Sequence, residues 1–135
     1  MINKFNIDDF YKVEDKIQYI NQYINSPIYS YQIDWIKISL YQYLTEDFMR
    51  KFKHKIYWPF ISECQNLSET FIEESQDRVD WYWISKYQTL SEPFIREFQH
   101  RVDWQYIFEN KKIKLSKEFI FEMTFKGYIL NETIH

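Results

Sequence analysis

The 135-residue chain contains no alanine, one glycine (Gly127), one cysteine (Cys64) and three prolines. Each scarcity excludes something. A lone cysteine cannot close an internal disulfide, so the chain reads as a protein of a reducing compartment, the cytoplasm (of a host cell, if the source is viral). A lone glycine rules out a glycine-rich phosphate loop. No apolar run approaches the ~18 residues that span a bilayer. The opening segment, MINKFNIDDFYKVED, is too polar and acidic for a secretory signal. No membrane partner is therefore expected. The absence of alanine has no basis in the physics of folding, because alanine is the best helix former. Alongside abundant Ile, Phe, Tyr, Lys and Asn, residues with A/T-rich codons, it reads as the imprint of an AT-rich genome such as many viruses, phages and some bacteria carry.

Apolar residues make up 45% of the chain, the aromatics among them 21%, which excludes a disordered chain and permits one sizeable core. The net charge of −3 creates no overall field that would gather nucleic acid.

The dominant feature is a 23-residue tandem repeat. The copies are LTEDFMRKFKHKIYWPFISECQN (44–66), LSETFIEESQDRVDWYWISKYQT (67–89) and LSEPFIREFQHRVDWQYIFENKK (90–112), the last extended by a linker to 114. A half copy (33–43) precedes them and another (115–123) follows. Such periodicity marks small supersecondary units, none able to bury its apolar face alone. The expected fold is all-α, a small α-solenoid of stacked short helix pairs forming one domain over 1–135. Residues 1–32 form an N-terminal cap, with one longer helix over 8–24, and 115–135 contain the last half repeat and a C-terminal cap. Gly127 is expected to stop the final helix in a left-handed turn.

Within one repeat, Ser91 is placed to cap a helix, with Glu92 at its positive end and Pro93 in the tolerant first turn. Leu90 and Ile95 occupy the positions of a hydrophobic staple. Phe94, Ile95, Phe98 and Val102 extend one buried stripe over roughly three turns. Asp103 then starts a shorter second helix. Trp35, Trp58, Trp81 and Trp104 recur every 23 residues, a spacing that predicts an aromatic spine of indoles between successive pairs.

Candidate chemistry is sparse. His54 and His100 share a repeat position two layers apart. At roughly 8–10 Å per layer, they stand on the order of 20 Å from each other, too far to share a metal. Asp80 and Asp103, each before a tryptophan, read as helix caps ion-paired to Arg78 and Arg101. Nothing suggests a cleft that would set two carboxylates to acid–base work, and Cys64 has no evident base. The expectation is a non-enzyme without catalytic residues, metal or cofactor. The basic run Arg50, Lys51, Lys53, His54 and Lys55 could hold a phosphate backbone, but Glu73, Glu74 and Asp77 interrupt that track in the next repeat. Position 17 of the repeat is aromatic in each full copy: Phe60, Trp83 and Tyr106. Tyr82 adds to this ledge and Tyr87 is a further candidate. Exposed, such a ladder is an interface patch, with charges such as Arg50, Glu73 and Arg96 at its rim; covered by the next layer, it is core.

The pattern L-[ST]-E-x-F-[IM]…[IV]-D-W-x-x-I-S-x-x-Q over 33–123 resembles short tryptophan-containing helical tandem repeats in uncharacterised proteins of large DNA viruses and phages. That resemblance implies a helical repeat and transfers no functional residue. Phe108 and Lys111 depart from its Ser and Gln. The sequence as a whole reads as a protein-binding module for a host or viral protein, for instance a phage-encoded inhibitor of a host defence protein of the anti-CRISPR kind. Alternatives are a nucleic-acid binder using 50–55 and a structural homo-oligomer.

Overall fold

A computed structural model of the chain describes residues 4–41 and 43–130; residues 131–135 of the expected C-terminal cap lie outside this range. The described residues form ten short α-helices and one 3-10 turn, with no strand among them. The fold is all-α and built from repeated helix pairs. It divides into two compact units, 1–66 and 67–135, at a junction between two repeats.

The first unit holds α1 (Ile7–Lys12), α2 (Lys16–Asn21), a 3-10 turn (Ser30–Gln32), α3 (Trp35–Ser39), α4 (Glu46–Lys51) and α5 (Trp58–Cys64). The single helix expected over 8–24 is in fact two. Val13 turns extended (ψ 144°), and Asp15 restarts the chain by accepting from Gln18 N–H at 2.9 Å. Lys16 closes the break by donating its Nζ to Val13 C=O at 2.9 Å. The Tyr19 hydroxyl ties α2 back to the start of α1, donating to Asn6 C=O at 3.1 Å. With the helix broken, Phe10 and Ile20 are both fully buried.

The second unit holds α6 (Glu69–Glu74), α7 (Trp81–Tyr87), α8 (Glu92–Glu97), α9 (Trp104–Glu109) and α10 (Lys117–Phe125). The helix starts follow the sequence reading. Thr45, Ser68, Ser91 and Ser116 accept from Phe48, Phe71, Phe94 and Phe119 N–H at 3.1 to 3.3 Å. Leu90 and Ile95 are both buried, as a staple requires. After α10, Gly127 has φ +85°. Tyr128 N–H donates to Met123 C=O and Gly127 N–H to Thr124 C=O, both at 3.0 Å, the paired bonds of a Schellman stop.

Three local expectations need correction. The first helix of a repeat is six residues, not three turns: α8 ends where Phe98 leaves helical geometry (φ −102°, ψ 27°). The carbonyl released beyond it is taken by the repeat tryptophan. Trp104 Nε1 donates to Gln99 C=O at 3.0 Å, Trp81 to Gln76 at 3.0 Å and Trp58 to Lys53 at 2.9 Å. Secondly, Trp81 and Trp104 do not form a spine of indoles. Trp81 lies on Phe98 (5.2 Å between ring centres, 29°) and Phe94, while Trp104 lies on Tyr128 (5.4 Å, 27°) and Phe119. Trp35 likewise meets Phe52 at 5.4 Å. Each of these indoles thus seats a phenyl ring from a following first helix. Thirdly, Asp34 and Asp80 cap their helices, whereas the Asp103 side chain does not, and Arg101 pairs with Asp77 of the preceding repeat at 2.8 Å instead of with Asp103.

Layers are joined by buried polar side chains. In the first unit α3 packs on α5, and in the second α7 packs on α9. The buried Ser39 hydroxyl donates to Trp35 C=O (2.6 Å) and accepts from Tyr57 N–H (2.8 Å); Ser85 accepts from Asp103 N–H at 2.8 Å. Buried amides close the other end of the same helices. Gln65 donates to the carbonyls of Ser39 and Tyr41, and Asn110 to those of Ser85 (3.0 Å) and Gln88 (2.8 Å). Asn110 does one position earlier what glutamine does elsewhere, which accounts for Lys111 at the departing site. On the first helices, Glu69 accepts from both N–H and O–H of Ser91, at 2.6 and 3.0 Å, and Glu92 accepts from Ser116 N–H. Orphan groups at helix ends are therefore satisfied by the neighbouring repeat, and the loss of a buried bond among these, such as those of Gln65 and Asn110, costs roughly 1–3 kcal/mol.

Candidate functional site: an aromatic cluster around Lys86

On α7, Ile84 and Ser85 point inward and are fully buried. Helical geometry then puts Tyr82, Trp83, Lys86 and Tyr87 together on the outer arc, as pairs four residues apart. Trp83 and Tyr87 lie parallel (5.7 Å, 11°), and Tyr82 meets Trp83 edge-on at 4.7 Å. Tyr106 of α9 reaches across to Tyr82 at 4.6 Å. Tyr82 and Tyr87 are 36% and 38% exposed, while Trp83 and Tyr106 are half-buried, so the ledge is a partly open surface.

The Lys86 ammonium sits among these rings, 5.2 Å from the Tyr106 centre and 5.5 Å from those of Tyr82, Trp83 and Tyr87. A cation over a π face is attracted by the ring quadrupole. Its hydrogen bond with the Tyr82 hydroxyl (3.5 Å) holds the amine above the usual lysine range, partly opposed by desolvation. Contact with the Tyr82 hydroxyl, then burial, pushes the Tyr106 phenol up in turn. At neutral pH the cluster therefore carries one positive charge inside an apolar frame.

The structure brings Tyr82, Trp83 and Tyr106 together, with Tyr82 bridging from one layer to the next. Phe60 belongs to the first unit, where it meets Tyr57 at 4.8 Å. The charges expected at the rim lie on first helices. Arg96 makes a double hydrogen bond to Glu122 and covers Phe119 (5.3 Å), and Arg50 pairs with Asp47 (3.0 Å) and Glu46 (3.7 Å). Glu73 is exposed on α6. Sequence reading missed Lys86. The signal was available: the corresponding residues of the other copies are Leu40, Glu63 and Glu109, so this repeat alone puts a cation beneath its aromatic pair.

The remaining candidates are ordinary by comparison. Arg50, Lys51, Lys53, His54 and Lys55 are all exposed around the buried Phe52. His100, in the second unit, contacts the Tyr128 hydroxyl through Nδ1 at 2.7 Å. Burial, then the Glu63 carboxylate, pushes the Cys64 thiol up, which disfavours the nucleophilic thiolate. Among the described residues no group of three or more His, Cys, Asp or Glu could hold a metal ion, and no helix is long and apolar enough to cross a membrane. Comparison with protein-family models, curated proteins and solved structures finds no match to this chain.

Proposed function

We propose that this protein is a non-enzymatic binding module that captures another protein through the aromatic cluster of α7 and α9. The observation that carries this reading is the convergence of Tyr82, Trp83, Tyr87 and Tyr106 on one ammonium at a partly open surface. Tryptophan and tyrosine dominate the energetics of protein interfaces because they bury large area at little rotamer cost. Rings already held by one another and by Lys86 lose less freedom on docking. The composition of an AT-rich genome and the small repeat architecture favour a virus- or phage-encoded factor that occupies a host protein, an inhibitor of a defence enzyme being one form.

The test is capture from host lysate by the wild-type chain and by Trp83→Ala/Tyr106→Ala, with helical content followed by circular dichroism. A partner retained by wild type and lost by the double variant at unchanged helicity supports the reading. A partner retained equally by both refutes it. The nucleic-acid alternative draws on the exposed run at 50–55, yet two carboxylates already engage Arg50. Retention on single-stranded DNA that falls steeply with salt would favour that alternative.

A further inference from the structure

The charges of the second unit are not used alike. Arg96, Arg101 and Lys126 each hold a carboxylate, at 3.0, 2.8 and 3.2 Å. Lys86 makes no ion pair among the described residues. Its hydrogen bond goes to the neutral hydroxyl of Tyr82, at the long distance of 3.5 Å, and its remaining contacts are ring faces. An ammonium has three donors, so two still point away from Tyr82. Glu109, which also bears on Tyr106, is exposed and forms no salt bridge with it. The surrounding rings displace water from one side of the ammonium, and a charge with less water around it interacts more strongly with an incoming anion than a fully hydrated lysine does.

We infer that the cluster selects an acidic segment of its partner, one carboxylate seating on Lys86 while an adjacent apolar side chain lies on Trp83 and Tyr87. This rests on the protein-binding reading above and adds to it the chemistry of the partner. The complementarity is specific in kind. A cationic partner group would meet Lys86 as a like charge, and a purely apolar one would bury the ammonium without compensation, which is costly. A carboxylate offers the missing acceptor, and the Tyr82 and Tyr106 hydroxyls stand beside it as further donors.

The experiment uses the full chain and two end-blocked, fluorescein-labelled ten-residue peptides. One alternates Glu with Phe and Pro; the other has every Glu replaced by Gln. Anisotropy titrations at low salt are expected to show the Glu peptide binding about tenfold or more tightly than its Gln counterpart, the scale of a close interfacial charge pair. Lys86→Met should erase the preference, Lys86→Arg should keep most of it, and Trp83→Ala/Tyr106→Ala should remove binding of both peptides. Equal affinity for the two peptides overturns the acidic-segment inference while leaving the binding module standing. Glu-peptide binding that survives Trp83→Ala/Tyr106→Ala assigns the effect to the basic run at 50–55 and overturns it too. Binding of neither peptide, or of single-stranded DNA alone in their place, likewise overturns it, and lysate capture then decides the wider reading separately.

Discussion

Two lysines, one in each unit, lie over aromatic rings, and they have opposite fates. Lys16 sits 5.0 Å from the Tyr41 centre and 5.5 Å from that of Phe10, and its amine is spent on the backbone carbonyls of Val13 and Tyr11. It seals the break between α1 and α2. Lys86 has a comparable aromatic environment, yet donates only to a phenol at the edge of normal reach. The same pairing of cation and ring is a structural clasp in one place and an unspent recognition element in the other. What distinguishes them is whether the nearby helix end still has carbonyls to offer. The break after α1 presents carbonyls without partners, whereas at the end of α7, where Lys86 lies in the last turn, those of Ser85, Tyr87 and Gln88 are already taken by Asn110 and Lys112.

The comparison can be broken most forcefully at the buried polar links that α7 depends on. Asn110→Leu keeps the branched outline of the side chain, though not its volume, and strands the carbonyls of Ser85 and Gln88 together with Lys112 N–H, which donates to Asn110 Oδ1 at 2.9 Å. Urea unfolding should show a loss of roughly 2–4 kcal/mol, several buried groups being left unpaired at once. A loss below ~1 kcal/mol would mean that water replaces the amide and that these bonds contribute little to joining the layers.

Lys16→Met comes next. Removing the clasp should cost about 1–2 kcal/mol, typical for hydrogen bonds from a charged donor that is partly exposed, and should speed hydrogen exchange at the N-terminus of α2. Lys86→Met is expected to leave the unfolding midpoint where it is, while changing what the surface binds. If instead Lys86→Met destabilises as much as Lys16→Met, the two lysines are alike and the contrast fails.

The smallest effect concerns Glu122. The hydrogen bonds from Arg96, then from Lys126, hold its carboxyl below the usual glutamate range. Its depressed value means that this contribution to stability is complete above the unfolded-state pKa and fades as pH falls through the folded one. Carbon-13 NMR titration should find Glu122 the more acidic glutamate relative to exposed ones, and Arg96→Gln should move it back up. An unmoved titration would show that solvent screens the pair completely.

Much of the architecture could be read before any coordinates. The repeat period, the serine and threonine caps, the staple at Leu90 and Ile95, and the Gly127 stop are all local signals. They are encoded within a few residues and appear as expected. The misreadings have two causes. The length of the first helix turns on a contact inside one repeat, from Trp104 Nε1 to Gln99 C=O. The partner of Arg101 and the seats of the indoles depend on a neighbouring layer, and a single repeat read alone contains no neighbour. The same reason hid the duties of Ser39, Ser85 and Asn110. As isolated residues they are unremarkable polar side chains on an apolar face, and only stacking reveals which orphan amide or carbonyl each one meets. For the candidate site, Trp83 and Tyr106 were legible as a recurring aromatic position, with Tyr82 beside it. Lys86 was not, because a lysine at the edge of a helix ordinarily means solvent.

By itself, then, the sequence determined that the chain is helical, where its turns begin, and that its units repeat every 23 residues, because caps, stops and apolar periodicity act through nearest neighbours along the chain. Tertiary structure alone decided which polar groups lock successive layers, which rings meet, and which lysine keeps its charge available, because most of those contacts join different repeats, whose atoms are distant in sequence and adjacent in space, as Asn110 and Ser85 are.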